Sequence, residues 1–285
     1  MFELHWQPPY DWGWMLGFLG ARTVAGIDRV TPAGYQRALA IGEHRGLVSV
    51  APDVAGQGVR VALSPGLMPV ADTVLGRVRR LLDLDCPVAE MNGALGVLAA
   101  PHPGIRLPGC MDPFEQIIRA VLGQLVSVAM AARLTTRLVA QLGAPLEDNP
   151  GWSAFPGPAQ LAAADPLLLK AMGMPLTRAQ SLIHIARACL DGHFPLQAPA
   201  DPLAGIKALT RYPGIGPWTA NYFALRGWQV VDIFLADDYL IKKRFPGMTT
   251  ALIRKYAQRW QPWRSYALLQ IWHQESWQPD QLIAK

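Results

Sequence analysis

Apolar and polar side chains alternate from Phe2 to Gln7, the period of a strand buried on one face, and Pro8-Pro9 ends the run. Asp11 stands where it can cap a short helix through Trp14, Leu16, Phe18 and Leu19. β-prone runs separated by Gly and Pro follow at residues 24–30, 35–41, 47–51 and 59–63. Residues 70–84 then place Val74, Val78, Leu81 and Leu82 on one helical face. Short strands in succession, flanked by helices, predict an antiparallel sheet covered on one side.

The pattern changes after Cys86-Pro87. A short helical run at residues 88–98 leads into residues 100–109, rich in Pro and Gly, which read as a linker. Asp112-Pro113-Phe114-Glu115 combines a capping residue, a first-turn Pro and a Glu at the third position, a strong helix start. Phe114, Ile117, Ile118, Val121, Leu122 and Leu125 recur behind it at helical spacing, so Leu125 reads as core. Ser127 opens a further helix toward Gly143. Helical periodicity continues at residues 161–172, 178–190, 202–209, 217–225, 238–245, 251–260 and 263–275, with almost no strand signal. The expected fold class is α+β: an N-terminal antiparallel β-sheet with helices, then an all-α body of about two-thirds of the chain. No internal repeat is visible.

Composition narrows this only slightly. With 285 residues, 51% hydrophobic and 16% charged, the chain has enough apolar material for two or three packed units. The net charge of +5 leans toward a polyanionic partner without demanding one. Cys86, Cys110 and Cys189 show no C-x-x-C pairing, which argues against a zinc knuckle or a local iron–sulfur loop. The N-terminus has no secretory pattern, and no segment nears the ~20 apolar residues of a membrane span, so no membrane is expected as partner and the expected location is the cytoplasm. Neither a Walker loop nor a dinucleotide fingerprint is present, so no organic cofactor is expected.

The chemistry concentrates in residues 209–244. In Pro213-Gly214-Ile215-Gly216 the glycines allow positive φ and leave backbone N–H groups uncovered, while Ile215 can anchor in the core. Pro217 suits the first turn of a helix whose amides face outward, so the stretch can cradle a phosphate without reading sequence. Leu209, Pro213, Gly214, Gly216, Thr219 and Ala220 resemble the helix-hairpin-helix signature. That motif alone fits a non-catalytic DNA-binding repair subunit as well as an enzyme.

Asp238 lies about twenty residues beyond the hairpin, and this spacing resembles the helix-hairpin-helix DNA glycosylase superfamily. The resemblance implies that Asp238 is catalytic. A fixed carboxylate would stabilise the oxocarbenium ion that forms on the sugar as an N-glycosidic bond breaks. Asp237 reads as a simple helix cap. Bifunctional relatives carry a lysine nucleophile two positions after the second glycine; here that position is Trp218, which implies a monofunctional enzyme without lyase activity.

Further stretches extend the likeness along essentially the whole chain. W-Q-P-P-Y-D-W, R-L-P-G-C, L-G-Q-L-V-S-V-A-M-A-A, G-I-G-P-W-T-A-N-Y-F-A-L-R-G-W and W-R-S-Y-A-L-L resemble the bacterial 3-methyladenine DNA glycosylase II type. Ala236 departs from it, where the family usually has Pro.

The resemblance implies three units: residues 1–88, residues 113–230 with the hairpin, and residues 89–112 plus 231–285, with the cleft between the two helical units. It also implies a flipped-out alkylated base from double-stranded DNA held among Trp218, Tyr222, Tyr239, Trp272 and Phe18, and a monomeric enzyme. Trp218 and Tyr222, four apart, share a helix face. A cationic methylated purine is attracted to such rings by ~0.5–2 kcal/mol each and needs no general acid to leave.

DNA contact falls to Leu125 as an apolar wedge and to Gly214, Ile215, Gly216 and Thr219. A monovalent cation would sit on the carbonyls of Thr210, Tyr212 and Ile215. Trp228, Trp260, Trp263 and Trp277 read as core.

Overall fold

A computed structural model describes residues 1–280 of the chain, so the last five residues of the expected third unit lie outside it. Five strands form one antiparallel sheet: β1 (Phe2–His5), β2 (Asp28–Thr31), β3 (Gly34–Ile41), β4 (His44–Asp53) and β5 (Gly58–Leu63), in the order β1-β5-β4-β3-β2. Helix α1 (Trp12–Gly20), capped by Asp11 as expected, and α2 (Ala71–Leu82) pack on one face. There Tyr35, Leu39, Val48, Val50, Val59 and Val61 meet Met15, Leu19, Val74, Val78 and Leu81.

Two details of this half differ from the sequence expectation. Residues 24–27 form a turn, because Asp28 folds back to accept the Val24 N–H at 2.6 Å; the strand starts only at Asp28. The second face of the sheet is not bare either. A two-stranded ribbon, β6 (Ala144–Pro145) and β7 (Ser153–Ala154), reaches back from the helical body and buries Ala38 against Leu146 and Ala154. Two-residue strands have no periodicity to reveal them.

The helical body holds α3 (Val88–Leu95), α4 (Pro113–Leu122), α5 (Val128–Leu142), α6 (Pro158–Ala162), α7 (Pro166–Ala171), α8 (Leu176–Leu190), α9 (Pro202–Leu209), α10 (Pro217–Arg226), α11 (Tyr239–Arg244), α12 (Thr250–Ala257) and α13 (Arg264–His273). Asp112 accepts the Glu115 N–H at 3.0 Å and Ser127 the Met130 N–H at 3.2 Å, so both expected caps form. The single helix expected at 161–172 is two, since Asp165 caps a new helix at Pro166. One continuous apolar cluster runs through these helices, and Trp228, Trp260 and Trp263 are buried in it. Trp277 packs against Phe245, Tyr256 and Trp260.

Sheet and helices are locked together by buried polar contacts. Arg37 on β3 pairs with Glu115 on α4, whose other oxygen takes Arg119 at 3.0 Å. Burial alone would raise the Glu115 carboxyl, but the two guanidiniums outweigh it and hold it below its ordinary value. Asp83, left-handed at the end of α2, accepts the Leu107 N–H at 2.8 Å and the Tyr266 hydroxyl at 2.9 Å, and burial pushes its carboxyl up to about 7. Among the described residues no helix is long and apolar enough to cross a membrane.

Candidate active site

Asp238 is the N-cap of α11 and accepts the N–H groups of Leu240 at 3.0 Å and Ile241 at 3.3 Å through Oδ1. Two indoles complete its shell: Trp272 Nε1 donates to Oδ1 at 3.1 Å, and Trp218 Nε1 to Oδ2 at 3.2 Å. Three donors crowd Oδ1 and one meets Oδ2, which fixes the carboxylate in position; each oxygen offers about two acceptor sites, so one on Oδ2 stays open. The cap expected of Asp237 does not form. Asp237 instead accepts from Thr250 at 2.8 Å and pairs with Arg254 and Lys242; burial is the largest single influence and raises its carboxyl, but these three partners together outweigh it and hold the group below its ordinary value.

Trp218 and Tyr222 stack one turn apart on α10, ring centres 4.9 Å apart and planes 8° from parallel. Together with Trp272 and Asp238 they line a cavity of about 280 Å³ that runs from α10 and α13 toward the sheet, reaching Asp28, Tyr35 and Arg37. No histidine is among its lining residues, which fits chemistry without an imidazole acid. At its inner side Arg226, buried on α10, donates to the Gly109 carbonyl at 2.8 Å and to Tyr222 Oη at 3.4 Å. Burial raises the Tyr222 phenol, but Arg226 and Arg22 outweigh this and bring it below its ordinary value.

Two expected aromatic contacts lie elsewhere. Phe18 sits outside the lining, its ring approached by two guanidiniums, with Arg22 Cζ 3.7 Å and Arg226 Cζ 4.8 Å from its centre. Tyr239 is 77% exposed and is not among the residues lining the cavity, while its neighbour Leu240 is. Ala236, the departure from the family's Pro, is buried at 2% exposure, and Asp238 keeps its donors two residues later.

Leu125 departs most from its periodicity. Helix α4 ends at Leu122, and Leu125 adopts φ +58° and stands fully in solvent at 102% exposure. Gln124 aims it: the Gln124 carbonyl accepts from Arg178 at 2.9 Å, and its side-chain amide donates to Gly214 O at 2.7 Å and Thr219 Oγ1 at 2.8 Å. The Leu125 loop and the hairpin are therefore tied together by hydrogen bonds, a link that sequence alone does not announce.

Within the hairpin the glycines have separate duties. Gly214 has φ +82°, and a Cβ there would fall 2.2 Å from Ser181 Oγ. Gly216 is extended, caps α10, and would meet nothing. Ile215 is buried at 3% exposure, the anchor its position predicted, whereas Thr219 is buried and engaged by Gln124. The Tyr212 carbonyl accepts the Ile215 N–H at 3.0 Å and keeps a second lone pair; no loop N–H among the described residues donates to the carbonyls of Thr210 or Ile215.

Residues 1–112 match the AlkA N-terminal domain family. Over 281 residues the chain is 59% identical to DNA-3-methyladenine glycosylase 2 of Escherichia coli (strain K12), covering 99% of this chain and 100% of that protein. It is 28% identical to a DNA-3-methyladenine glycosylase of Bacillus subtilis (strain 168), across 83% of this chain and 84% of the relative. Among solved structures, 3-methyladenine DNA-glycosylase from Archaeoglobus fulgidus shares the fold, with a TM-score of 0.80 at 20% identity over 95% of this chain and 97% of that one. With 59% identity to the first of these along nearly its full length, the chain belongs to the DNA-3-methyladenine glycosylase 2 (AlkA) family.

Proposed function

We propose that the protein is a monofunctional DNA N-glycosylase that flips alkylated bases out of duplex DNA and hydrolyses their glycosidic bonds, a first step of base excision repair. The observation that carries this is the Asp238 carboxylate, gripped by the two indoles that wall the cavity. The hairpin N–H groups hold a phosphate, Leu125 fills the gap in the base stack, and the base enters between Trp218, Tyr222 and Trp272. Asp238 then opposes the positive charge growing on the sugar while water attacks. Phe18 contributes from behind Arg22, and Tyr239 from the outer rim toward DNA.

Substrates are cationic 3-methyladenine and 7-methylguanine, O2-methylpyrimidines, and uncharged hypoxanthine. The enzyme acts as a monomer. A monovalent cation on the carbonyls of Thr210, Tyr212 and Ile215 would stiffen the hairpin; no organic cofactor takes part. Incubation with methylated duplex should liberate free 3-methyladenine and 7-methylguanine, detected by chromatography, with no covalent adduct on borohydride treatment. Tight binding without base release would leave a DNA-binding subunit; a trapped adduct would show a lyase despite Trp218.

A further inference from the structure

The cavity has an electrical polarity that the aromatic walls do not explain. Trp218, Tyr222 and Arg226 are spaced by four along one face of α10, so about 12 Å of helix separates the first from the last. At the first, Trp218 holds the Asp238 carboxylate; at the last, Arg226 closes the inner wall. Beside Arg226 lies Arg22, its Nη1 on the Phe18 carbonyl at 3.0 Å and its guanidinium against the Phe18 ring. Both arginines line the cavity, and among the described residues neither has a carboxylate within salt-bridge distance. The acids lining the cavity's inner part are engaged elsewhere: Glu115 by Arg37 and Arg119, Asp28 by Arg37 and the Tyr35 hydroxyl, and Asp112 by Arg77 at 3.4 Å. A flipped base therefore has negative charge at its sugar end and unbalanced positive charge beyond its far edge.

We infer that Arg22, backed by Arg226, is a specificity-determining residue that favours release of uncharged bases by facing the edge of the base remote from the sugar. This rests on the proposed glycosylase reading. When the C1′–N9 bond breaks, its electron pair goes to N9 and water supplies the new bond to C1′. A cationic base leaves neutral and the water proton goes to solvent. An uncharged base leaves carrying negative charge and takes that proton in the end. Relative to the stacked duplex, a positive wall lowers the barrier for a base turning negative and opposes one that enters still cationic. Arg22 also offers N–H groups to an exocyclic oxygen, without acting as a proton donor.

Hypoxanthine and 7-methylguanine both carry a 6-oxo group and differ in charge, so their ratio isolates the effect. Single-turnover release of each from the same duplex should show the hypoxanthine to 7-methylguanine ratio falling at least about tenfold in Arg22→Met. Arg22→Lys should restore it to within about threefold, because the charge returns. An unchanged ratio in a folded Arg22→Met, or a fall that Arg22→Lys does not repair, overturns the inference. Wild-type protein that releases 7-methylguanine but no hypoxanthine also overturns it and leaves the glycosylase reading standing. Release of neither base defeats that reading itself.

Discussion

Replacing Asp238 by Asn keeps the side chain's shape and removes its charge, and the contacts divide the consequences cleanly. An amide oxygen in the place of Oδ1 still accepts from Trp272, Leu240 and Ile241. The cap of α11 survives, since Asn caps as well as Asp. The amide nitrogen replaces Oδ2 and faces the Trp218 N–H, now 3.2 Å from another donor. That lost bond costs about 1.5–3 kcal/mol, and for a chain of this size the melting temperature falls by roughly 3–12 °C. The chemical loss is larger. A unit charge about 4 Å from the sugar cation, at an effective dielectric near 20, contributes about 4 kcal/mol, or about 10³-fold in rate. Single-turnover release of 7-methylguanine should therefore drop by about 10³ or more, with affinity for an abasic-site analogue within about threefold of wild type. Release within about tenfold of wild type, from a folded variant, would refute the catalytic assignment.

Leu125→Gly removes a left-handed leucine whose side chain touches only solvent, so stability should hold or rise by up to about 1 kcal/mol in urea titration while base release falls; a loss above about 1 kcal/mol would show a structural role instead. Glu115→Gln leaves half-buried Arg119 without its anion and buried Arg37 with only the longer Asp28 pair at 3.8 Å, and should cost about 3 kcal/mol by the same titration; a loss under about 1 kcal/mol would mean the network is dispensable. Asp83 holds its proton in the fold up to about pH 7, whereas the unfolded chain releases it near its ordinary 3.8, so this group's contribution is present below that value and is lost as pH rises to about 7. Asp83→Asn should thus gain stability relative to wild type between about pH 4 and 7, by up to about 4 kcal/mol; a difference that stays flat across that range would contradict the raised carboxyl.

The helices and the sheet were legible because each repeats a period, as α4 does through Phe114, Ile117, Ile118 and Val121. The stacked pair followed from a spacing of four, whereas the two indole N–H bonds to Asp238 had no signal in the sequence. Periodicity misled at Leu125, since three residues past a helix end keep the helical count but not the helical direction. Arg22, Gln124 and Arg226 escaped notice for another reason. A polar residue in a helical stretch reads as solvated face, and only the packing of α1, α4 and α10 shows where each side chain points.

The Tyr266 hydroxyl on Asp83 joins residues 183 positions apart, and the Trp272 bond to Asp238 lies nearly at the end of the chain. The first contact closes a long loop and is entropically slow to form, and the second must wait for α13 to be made. On the ribosome the sheet has all its strands long before either bond is possible, so it can settle first. Activity must then switch on abruptly: a growing chain has neither a fixed Asp238 nor a finished cavity wall until α13 has emerged and docked.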